Sequence, residues 1–181
     1  MLGKDSYVLK EVLKDGTPVT LRAARADDGP KIRQAFKNLR PETVYTRFFG
    51  YKADVNEAEL KRITDADFTR DVALLVTIGS EDEQVVIGGA SYFSITAAPE
   101  ARSAEVAFTV EEDYQGLGVA SLLLKHIVQI ARERNVKDLE ADVLARNLPM
   151  LAVFRRSGLP MALRHEGNIV HVTLSLRTGV A

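Results

Sequence analysis

Two glycines, Gly116 and Gly118, separate an apolar run with strand character, 103–110, from a long run with helical periodicity that begins near Ala120. Glycine has no Cβ, so it lets a ligand approach the backbone and adopts positive φ without strain. The helix that follows begins with N–H groups that lack acceptors within the helix, at the positive end of the helix dipole. The junction therefore predicts a strand, a tight loop and a helix whose first turn suits an anion such as a phosphate.

Two other interpretations of this loop stay open on these letters alone. One is a dinucleotide-binding fingerprint, in which Gly116 and Gly118 are the first two glycines and Glu140 lies at the distance of a ribose contact. Against it, Ser121 occupies the third glycine position, and five residues, 111–115, intervene between the strand and the first glycine. The other interpretation is a plain strand-to-helix turn. A Walker phosphate loop is excluded because no Gly-Lys-Ser/Thr follows the glycines.

The rest of the chain predicts a mixed α/β (α+β) domain without a regular βαβ repeat. Asp15-Gly16 between apolar runs predicts a hairpin, and Asp27 or Asp28, Asn56 and Asn147 are candidate helix caps. A single domain over residues 1–181 is expected from this length. The predicted strands lie within 7–24 (a hairpin), 71–79, 83–95, 103–112, 138–145 and 161–176 (a second hairpin), and the predicted helices within 26–39, 40–50, 56–65, 120–134 and 147–158.

Composition excludes several classes of function. The net charge of −1 provides no basic field for nucleic acid or an acidic membrane surface. The chain has no cysteine, which excludes disulfides, thiolate metal sites and a cysteine nucleophile. No apolar stretch reaches the roughly 20 residues that span a bilayer. The three histidines, His126, His165 and His171, show no metal-ligand spacing, so we expect no metal. A cytoplasmic location is expected.

The letters of the loop point to a family. "QGLGVA", Gln115 to Ala120, resembles the Gln/Arg-x-x-Gly-x-Gly/Ala motif of the GNAT (Gcn5-related N-acetyltransferase) superfamily. "SAEVAFTV" is similar to the strand before that motif, and "NLPMLAVFRRSGL" to the later helix, although Leu159 stands where Phe is common. The resemblance implies a GNAT fold, with a central mixed, mostly antiparallel sheet of about seven strands flanked by about four helices.

The first half of the chain carries a closer resemblance. "DGTPVTLRAARADDGPKIRQAFKNLRPETVYTRFFG" and "LKRITDADFTRDVALLV" are similar to the acetyltransferase domain of bacterial protein-lysine acetyltransferases, and "ETVYTRFF" is the most distinctive part. The likeness extends over about residues 15–176. It implies acetylation of a protein lysine, with an acyl-CoA synthetase as a candidate partner. Arg47, Phe48 and Phe49 are candidates for shaping the acceptor entrance or for anchoring a helix end.

The resemblance implies acetyl-CoA as co-substrate. Its pyrophosphate would meet the backbone N–H groups of the loop, because the nearby side chains of Glu111, Glu112 and Asp113 are acidic. Its pantetheine arm would lie between parted strands, where a backbone N–H near Val110 could stabilise the oxyanion. Asn147 is expected to be a helix cap, a cofactor contact or both. The implied cofactor-binding residues are Phe108, Thr109, Val110, Gln115, Gly116, Leu117, Gly118, Val119, Ala120, Ser121, Asn147 and Phe154.

Glu105 is the candidate general base, because it is the one charged residue in an otherwise apolar strand and the family strand often carries a glutamate there. Alternation places it on one face with Ala107 and Thr109, and we expect it to be partly buried. Alternatively, Glu105 is a carboxylate at the end of a strand, either in water or paired with Arg102. Many GNAT enzymes protonate the CoA thiolate with a helix tyrosine, but Phe154 stands there. Tyr114 is either a substitute acid or, as we expect, a packed aromatic side chain of the loop.

Two other functions remain open. The chain could acetylate small amines such as polyamines, amino acids or drugs. It could also be an acyl-CoA-binding sensor without turnover, an alternative that the absent tyrosine favours and Glu105 opposes.

Overall fold

The computed structural model describes residues 2–48, 54–96 and 102–178, with the backbone alone for Tyr45, Thr46 and Phe48. Eight strands form one sheet in the order β1-β2-β3-β4-β5-β6-β8-β7, and β5–β6 is the one parallel pair among these strands. The strands are β1 (Val8–Val12), β2 (Pro18–Ala23), β3 (Val72–Ile78), β4 (Val85–Ser94), β5 (Ser103–Val110), β6 (Asp138–Leu144), β7 (Met161–Glu166) and β8 (Ile169–Ser175). The α-helices are α1 (Gly29–Lys37), α2 (Pro41–Phe48), α3 (Glu57–Thr64), α4 (Val119–Glu133) and α5 (Leu148–Arg156).

This architecture confirms the expected fold class and every predicted segment. The sheet has eight strands rather than about seven, and five α-helices rather than about four occur in the described ranges. The observed counts equal those of the segments predicted from the sequence, which include the β1–β2 hairpin and the three helices between β2 and β3. None of the helices in these ranges is long and apolar enough to cross a membrane.

Two of the three predicted helix caps form as expected. Asn56 accepts a hydrogen bond from the Glu59 backbone N–H (2.8 Å), and Asn147 accepts one from that of Met150 (3.3 Å). The third, expected at Asp27 or Asp28, does not form: Asp28 is the residue before α1 and makes no side-chain cap. Its carboxylate instead pairs with the Arg22 guanidinium through two 2.7 Å hydrogen bonds, because burial of both side chains requires each charge to have a partner.

The two faces of the sheet bury different helices. Alternation sends Leu74 of β3 into the main core beneath α4, while its neighbour Leu75 joins a smaller cluster with Ile32 of α1 and Ile63 of α3. The main core includes an apolar stripe of α4, as its helical periodicity indicates, and the members of the stripe are all buried: Leu123, Leu124, Ile127, Val128 and Ala131. The sheet is thus covered by α4 and α5 on one face and, over β3 and β4, by α1 and α3 on the other.

The parallel pair is short, and this creates the site. β5 pairs with β6 only from Ser103–Asp138 to Glu105–Glu140. Beyond that point β5 stays paired with β4 as far as Val110, while β6 stays paired with β8. β5 and β6 therefore separate after Glu105 and leave a gap within the sheet.

Candidate active site

A cavity of about 530 Å³ occupies the gap between β5 and β6. Its walls come from the parted strands, the glycine loop, the first turn of α4 and α5. Eleven of the twelve residues that the sequence assigned to cofactor binding line it. The exception is Leu117, whose side chain packs against the main core while its carbonyl accepts a hydrogen bond from the Lys14 backbone N–H (3.0 Å).

The edge of β5 offers unpaired backbone groups to this cavity. The Glu111 N–H donates to the Ile87 carbonyl of β4 (2.9 Å). Backbone groups alternate between the two sides of a strand, so the N–H groups of Phe108 and Val110, beyond the last pair with β6, point towards the gap. The Gln115 amide donates to the Val110 carbonyl from that side (3.0 Å). An extended ligand with amide groups can therefore pair with β5 in place of the missing strand.

The glycine loop has the backbone that the sequence predicts. Gly116 and Gly118 have φ of +79° and +92°, and Gly118 is the residue before α4. The first hydrogen bond of the helix runs from the Leu122 N–H to the Gly118 carbonyl (3.0 Å). The N–H groups of 119–121 consequently lack acceptors within the helix, and these residues line the cavity. The loop can bind an anion through its backbone.

The charge around the loop differs from the expectation. Acidic residues precede the loop in sequence, but Lys14 lines the cavity, as does Arg156 of α5, whose sequence position makes it a candidate phosphate contact. Glu112 is directed elsewhere, because its carboxylate accepts a hydrogen bond from the Arg40 backbone N–H (2.7 Å). Lys14 could not be found by sequence reasoning, since it belongs to the β1–β2 hairpin and no local pattern links that turn to the loop. The site has cationic side chains as well as backbone donors.

α5 provides one wall through Asn147 and Phe154. Asn147 caps the helix and also lines the cavity, so its position is compatible with both expected roles. Phe154 is fully buried and packs edge-on against Phe108, with ring centroids 5.9 Å apart. Tyr114 is half-buried against the main core and also lines the cavity.

A second cavity, of about 480 Å³, lies on the opposite face of β5. Its walls are largely apolar and come from α1, α3, β3 and β4, with Ile32, Leu39 and Ile63 among them. Four residues line both cavities: Arg47, Glu105, Ala107 and Thr109. The predicted grouping of Glu105 with Ala107 and Thr109 on one face is therefore observed, and the two cavities meet at these residues.

Glu105 is exposed, so the expected partial burial is wrong. The physical reason is its position: β6 turns away immediately after Glu105–Glu140, which leaves the Glu105 side chain over the opening. Its pairing with Arg102 is not seen either, because the Arg102 guanidinium donates to the carbonyls of Arg134 and Thr69, both at 2.7 Å.

Arg47 is half-buried beside Glu105. Burial lowers the pKa of Arg47, while the charges of Glu59 and Glu105 act in the opposite direction. The guanidinium keeps its charge in proteins, so the opening contains a cation and a carboxylate together. Phe49 and the Phe48 side chain lie outside the described residues.

The histidines lie among other groups than those of the two cavities. Buried His126 accepts from or donates to the Tyr7 hydroxyl (2.7 Å) and lies 3.2 Å from Glu11, and burial lowers the pKa of its imidazole. His171 contacts Glu166 (2.9 Å) and Asp142, which raise its pKa. No group of three or more metal-ligating side chains is arranged around a common point in the ranges that the structure covers.

The sheet parts after a short parallel pair, and a glycine loop with positive φ leads into α4. This arrangement can hold an extended ligand that carries a phosphate. The model of the acetyltransferase (GNAT) family matches residues 36–159. An acetyltransferase of Pseudomonas aeruginosa is 30% identical over 140 residues, which cover 77% of this chain and 74% of that protein. The chain belongs to the GNAT acetyltransferase family, as the resemblance predicted. Members of this family use acetyl-CoA as acetyl donor.

Two further relatives bear the name PAT. The crystal structure of the GNAT domain of S. lividans PAT has a TM-score of 0.84 and 33% sequence identity, and the match covers 93% of this chain and 96% of that domain. The acetyltransferase Pat of Mycolicibacterium smegmatis is 32% identical over 117 residues, which are 65% of this chain and 34% of Pat. This chain thus matches about a third of the Mycolicibacterium protein.

Proposed function

We propose that the chain is an acetyl-CoA-dependent N-acetyltransferase that transfers the acetyl group directly to a lysine side chain of a protein, with Glu105 as general base. The observation that carries the proposal is the meeting of the two cavities at Glu105. A donor in the gap between β5 and β6 and an acceptor on the opposite face of β5 would come together beside this carboxylate.

The first cavity offers a suitable surface to each part of the donor in turn. The amides at the start of α4 suit the pyrophosphate. The free edge of β5 suits the two amides of the pantetheine arm, which would take the place of a neighbouring strand. Phe108, Phe154 and Val153 supply apolar surface next to that edge. Backbone N–H groups and apolar contacts, rather than side-chain charge alone, would hold the donor.

The acceptor amine must lose a proton before it can attack. A lysine amine has a pKa of roughly 10.4 and is mostly protonated at neutral pH, so a base has to remove its proton. Glu105 is exposed in the opening, where its carboxylate can take this proton directly or through one water. The amine nitrogen then bonds to the acetyl carbonyl carbon, and a backbone N–H near Val110 stabilises the oxyanion.

Collapse of this adduct breaks the carbon–sulfur bond and releases CoA as thiolate, and the adduct nitrogen loses its remaining extra proton to water to give the neutral amide. Phe154 offers no proton at the position where many GNAT enzymes have a tyrosine. An acid is dispensable, because a thiol with a pKa of roughly 8.5 leaves readily as thiolate and takes its proton from water. The chain has no cysteine to carry an acetyl group, which favours direct transfer.

The second cavity supports a lysine acceptor. Its aliphatic walls match the methylene stem of a lysine. Its charged lining has three carboxylates, Glu59, Glu105 and Glu111, against two guanidinium groups, Arg47 and Arg62, so negative charge is in excess for the ammonium. Burial raises the pKa of Glu111, which is consistent with a partly dehydrated cavity. The likeness to proteins named PAT supports a protein acceptor, and we propose an acyl-CoA synthetase as the first candidate.

The test is thiol release from acetyl-CoA with three acceptors at matched amine concentration: an intact acyl-CoA synthetase, free lysine and a polyamine. We expect release with the synthetase and a mass increase of one acetyl group on a peptide that contains lysine. Turnover with the free amines alone would assign the chain to small-molecule acetylation. Binding of acetyl-CoA without turnover by any acceptor would support the sensor alternative.

A further inference from the structure

The turn between β1 and β2 reaches across to the glycine loop. The Lys14 backbone N–H donates to the Leu117 carbonyl (3.0 Å), which fixes the turn against the loop. The Lys14 side chain then extends over Gly118: its Cε, Cγ and Cδ lie 3.3, 3.5 and 3.7 Å from the position that a Cβ on Gly118 would occupy. The ammonium is one bond beyond Cε, and Lys14 lines the first cavity.

No other group in the described part of the chain engages the Lys14 ammonium in a hydrogen bond or an ion pair. The neighbouring Asp15 carboxylate is turned into the hairpin, where it accepts a hydrogen bond from the Thr17 backbone N–H (3.0 Å). Lys10, on the same hairpin, differs because its ammonium donates to the Thr20 hydroxyl (2.9 Å). Lys14 therefore brings an unpaired positive charge to the N-terminus of α4.

We propose that Lys14 binds the pyrophosphate of the CoA donor and makes the enzyme discriminate between donors that carry this group and donors that lack it. The inference rests on the proposed function. Backbone amides at a helix start neutralise only part of a doubly charged pyrophosphate. A lysine supplies a full charge on a flexible stem, which suits phosphate oxygens without requiring fixed geometry. The hairpin holds that stem beside the amides.

The same contact gives Gly118 a second reason to be glycine. Its φ of +92° already disfavours other residues. A Cβ at this position would also lie 3.3 Å from Lys14 Cε, so the Lys14 stem would have to shift by a few tenths of an ångström. The loop and the hairpin thus form one anion-binding unit, although they are distant in sequence.

The experiment compares Lys14→Met, which keeps an apolar stem over Gly118 but removes the charge, with Lys10→Met as matched control. Three donors are used: acetyl-CoA, acetyl-dephospho-CoA, which retains the pyrophosphate, and S-acetylpantetheine, which has no phosphate. We expect Lys14→Met to raise KM about five- to tenfold for the first two donors and to leave kcat/KM for S-acetylpantetheine unchanged. Lys14→Arg should restore most of the loss, and Lys10→Met should resemble the parent.

Three results would overturn the proposal. Equal losses with all three donors would mean that Lys14 acts on loop structure. A loss with acetyl-CoA but not with acetyl-dephospho-CoA would place the ammonium at the 3′-phosphate. Unchanged KM in Lys14→Met would remove Lys14 from donor binding. All three results require that the parent enzyme turns over its donors. They are therefore distinct from failure of the proposed function, in which the parent turns over no donor.

Discussion

Glu105 and Glu140 face each other in the last pair of the ladder between β5 and β6. Only Glu105 of the two lines the cavities, because β5 continues along the gap while β6 turns away with β8. Two neighbouring, exposed carboxylates therefore occupy different environments. Glu140→Gln is therefore a matched control for Glu105→Gln, and comparing the two separates a catalytic role of Glu105 from a merely electrostatic one.

The second cavity predicts a variant that affects the acceptor alone. Ala35 of α1 lines this cavity and does not line the first. Ala35→Leu would fill part of it, so we expect KM for the protein acceptor to rise about tenfold while KM for acetyl-CoA stays within twofold. Gln34→Leu is the control, because Gln34 is the adjacent exposed position and donates to Asn38 instead. Steady-state kinetics with each substrate varied in turn checks this, and a raised KM for acetyl-CoA would contradict the cavity assignment.

Gly118 predicts a loss of donor affinity. Gly118→Ala forces a residue with a Cβ into φ of +92°, at a cost of about 1–2 kcal/mol, and places that Cβ 3.3 Å from Lys14 Cε. Gly167→Ala imposes a positive φ in the β7–β8 turn, where a Cβ would have no neighbour within 4 Å. Calorimetric titration should show weaker acetyl-CoA binding for Gly118→Ala only. Equal affinities for the two variants would argue against a phosphate at this loop.

The buried pair of Arg22 and Asp28 predicts how stability depends on pH. Burial opposes the charge on Asp28, but hydrogen bonds from Arg22 and from the Arg25 backbone N–H hold the pKa of its carboxyl below the ordinary value. The pair therefore stabilises the fold fully above the unfolded pKa of about 3.9, and this contribution is lost as pH falls through the lower folded pKa.

Asp28→Asn should remove this contribution and lower the free energy of unfolding by about 3–5 kcal/mol, because it leaves a buried guanidinium without a counter-charge. Asp54→Asn is the control, since its pair with Arg33 is partly exposed and should be worth less than about 1 kcal/mol. Urea unfolding at neutral pH measures both. A smaller loss for Asp28→Asn than for Asp54→Asn would contradict the assigned burial.

Local patterns in the sequence predicted much of this structure. The Asp15-Gly16 turn, the caps at Asn56 and Asn147 and the apolar stripe of α4 each depend on residues close in sequence, where periodicity and capping rules apply. The glycine loop was recognised for the same reason, because a positive φ before a helix strongly favours glycine.

Features that depend on long-range placement were missed or misjudged. Nothing local shows that β5 and β6 pair for only three residues, yet this decides that Glu105 is exposed rather than partly buried. Nothing near Lys14 indicates that its hairpin reaches Gly118. Asp27 or Asp28 was expected to cap α1, but the Asp28 carboxylate pairs with the buried Arg22 instead, because an unpaired buried charge costs far more than a lost cap.

The most direct test of the account measures acetyl transfer to an acyl-CoA synthetase by the parent, Glu105→Gln and Glu140→Gln, with acetyl-CoA affinity determined for each by calorimetry. The account predicts that Glu105→Gln binds acetyl-CoA like the parent but has kcat reduced about 10²- to 10⁴-fold, while Glu140→Gln stays within a few-fold of the parent. Equal and small effects of the two substitutions would contradict a role for Glu105 as the base at the junction of the two cavities.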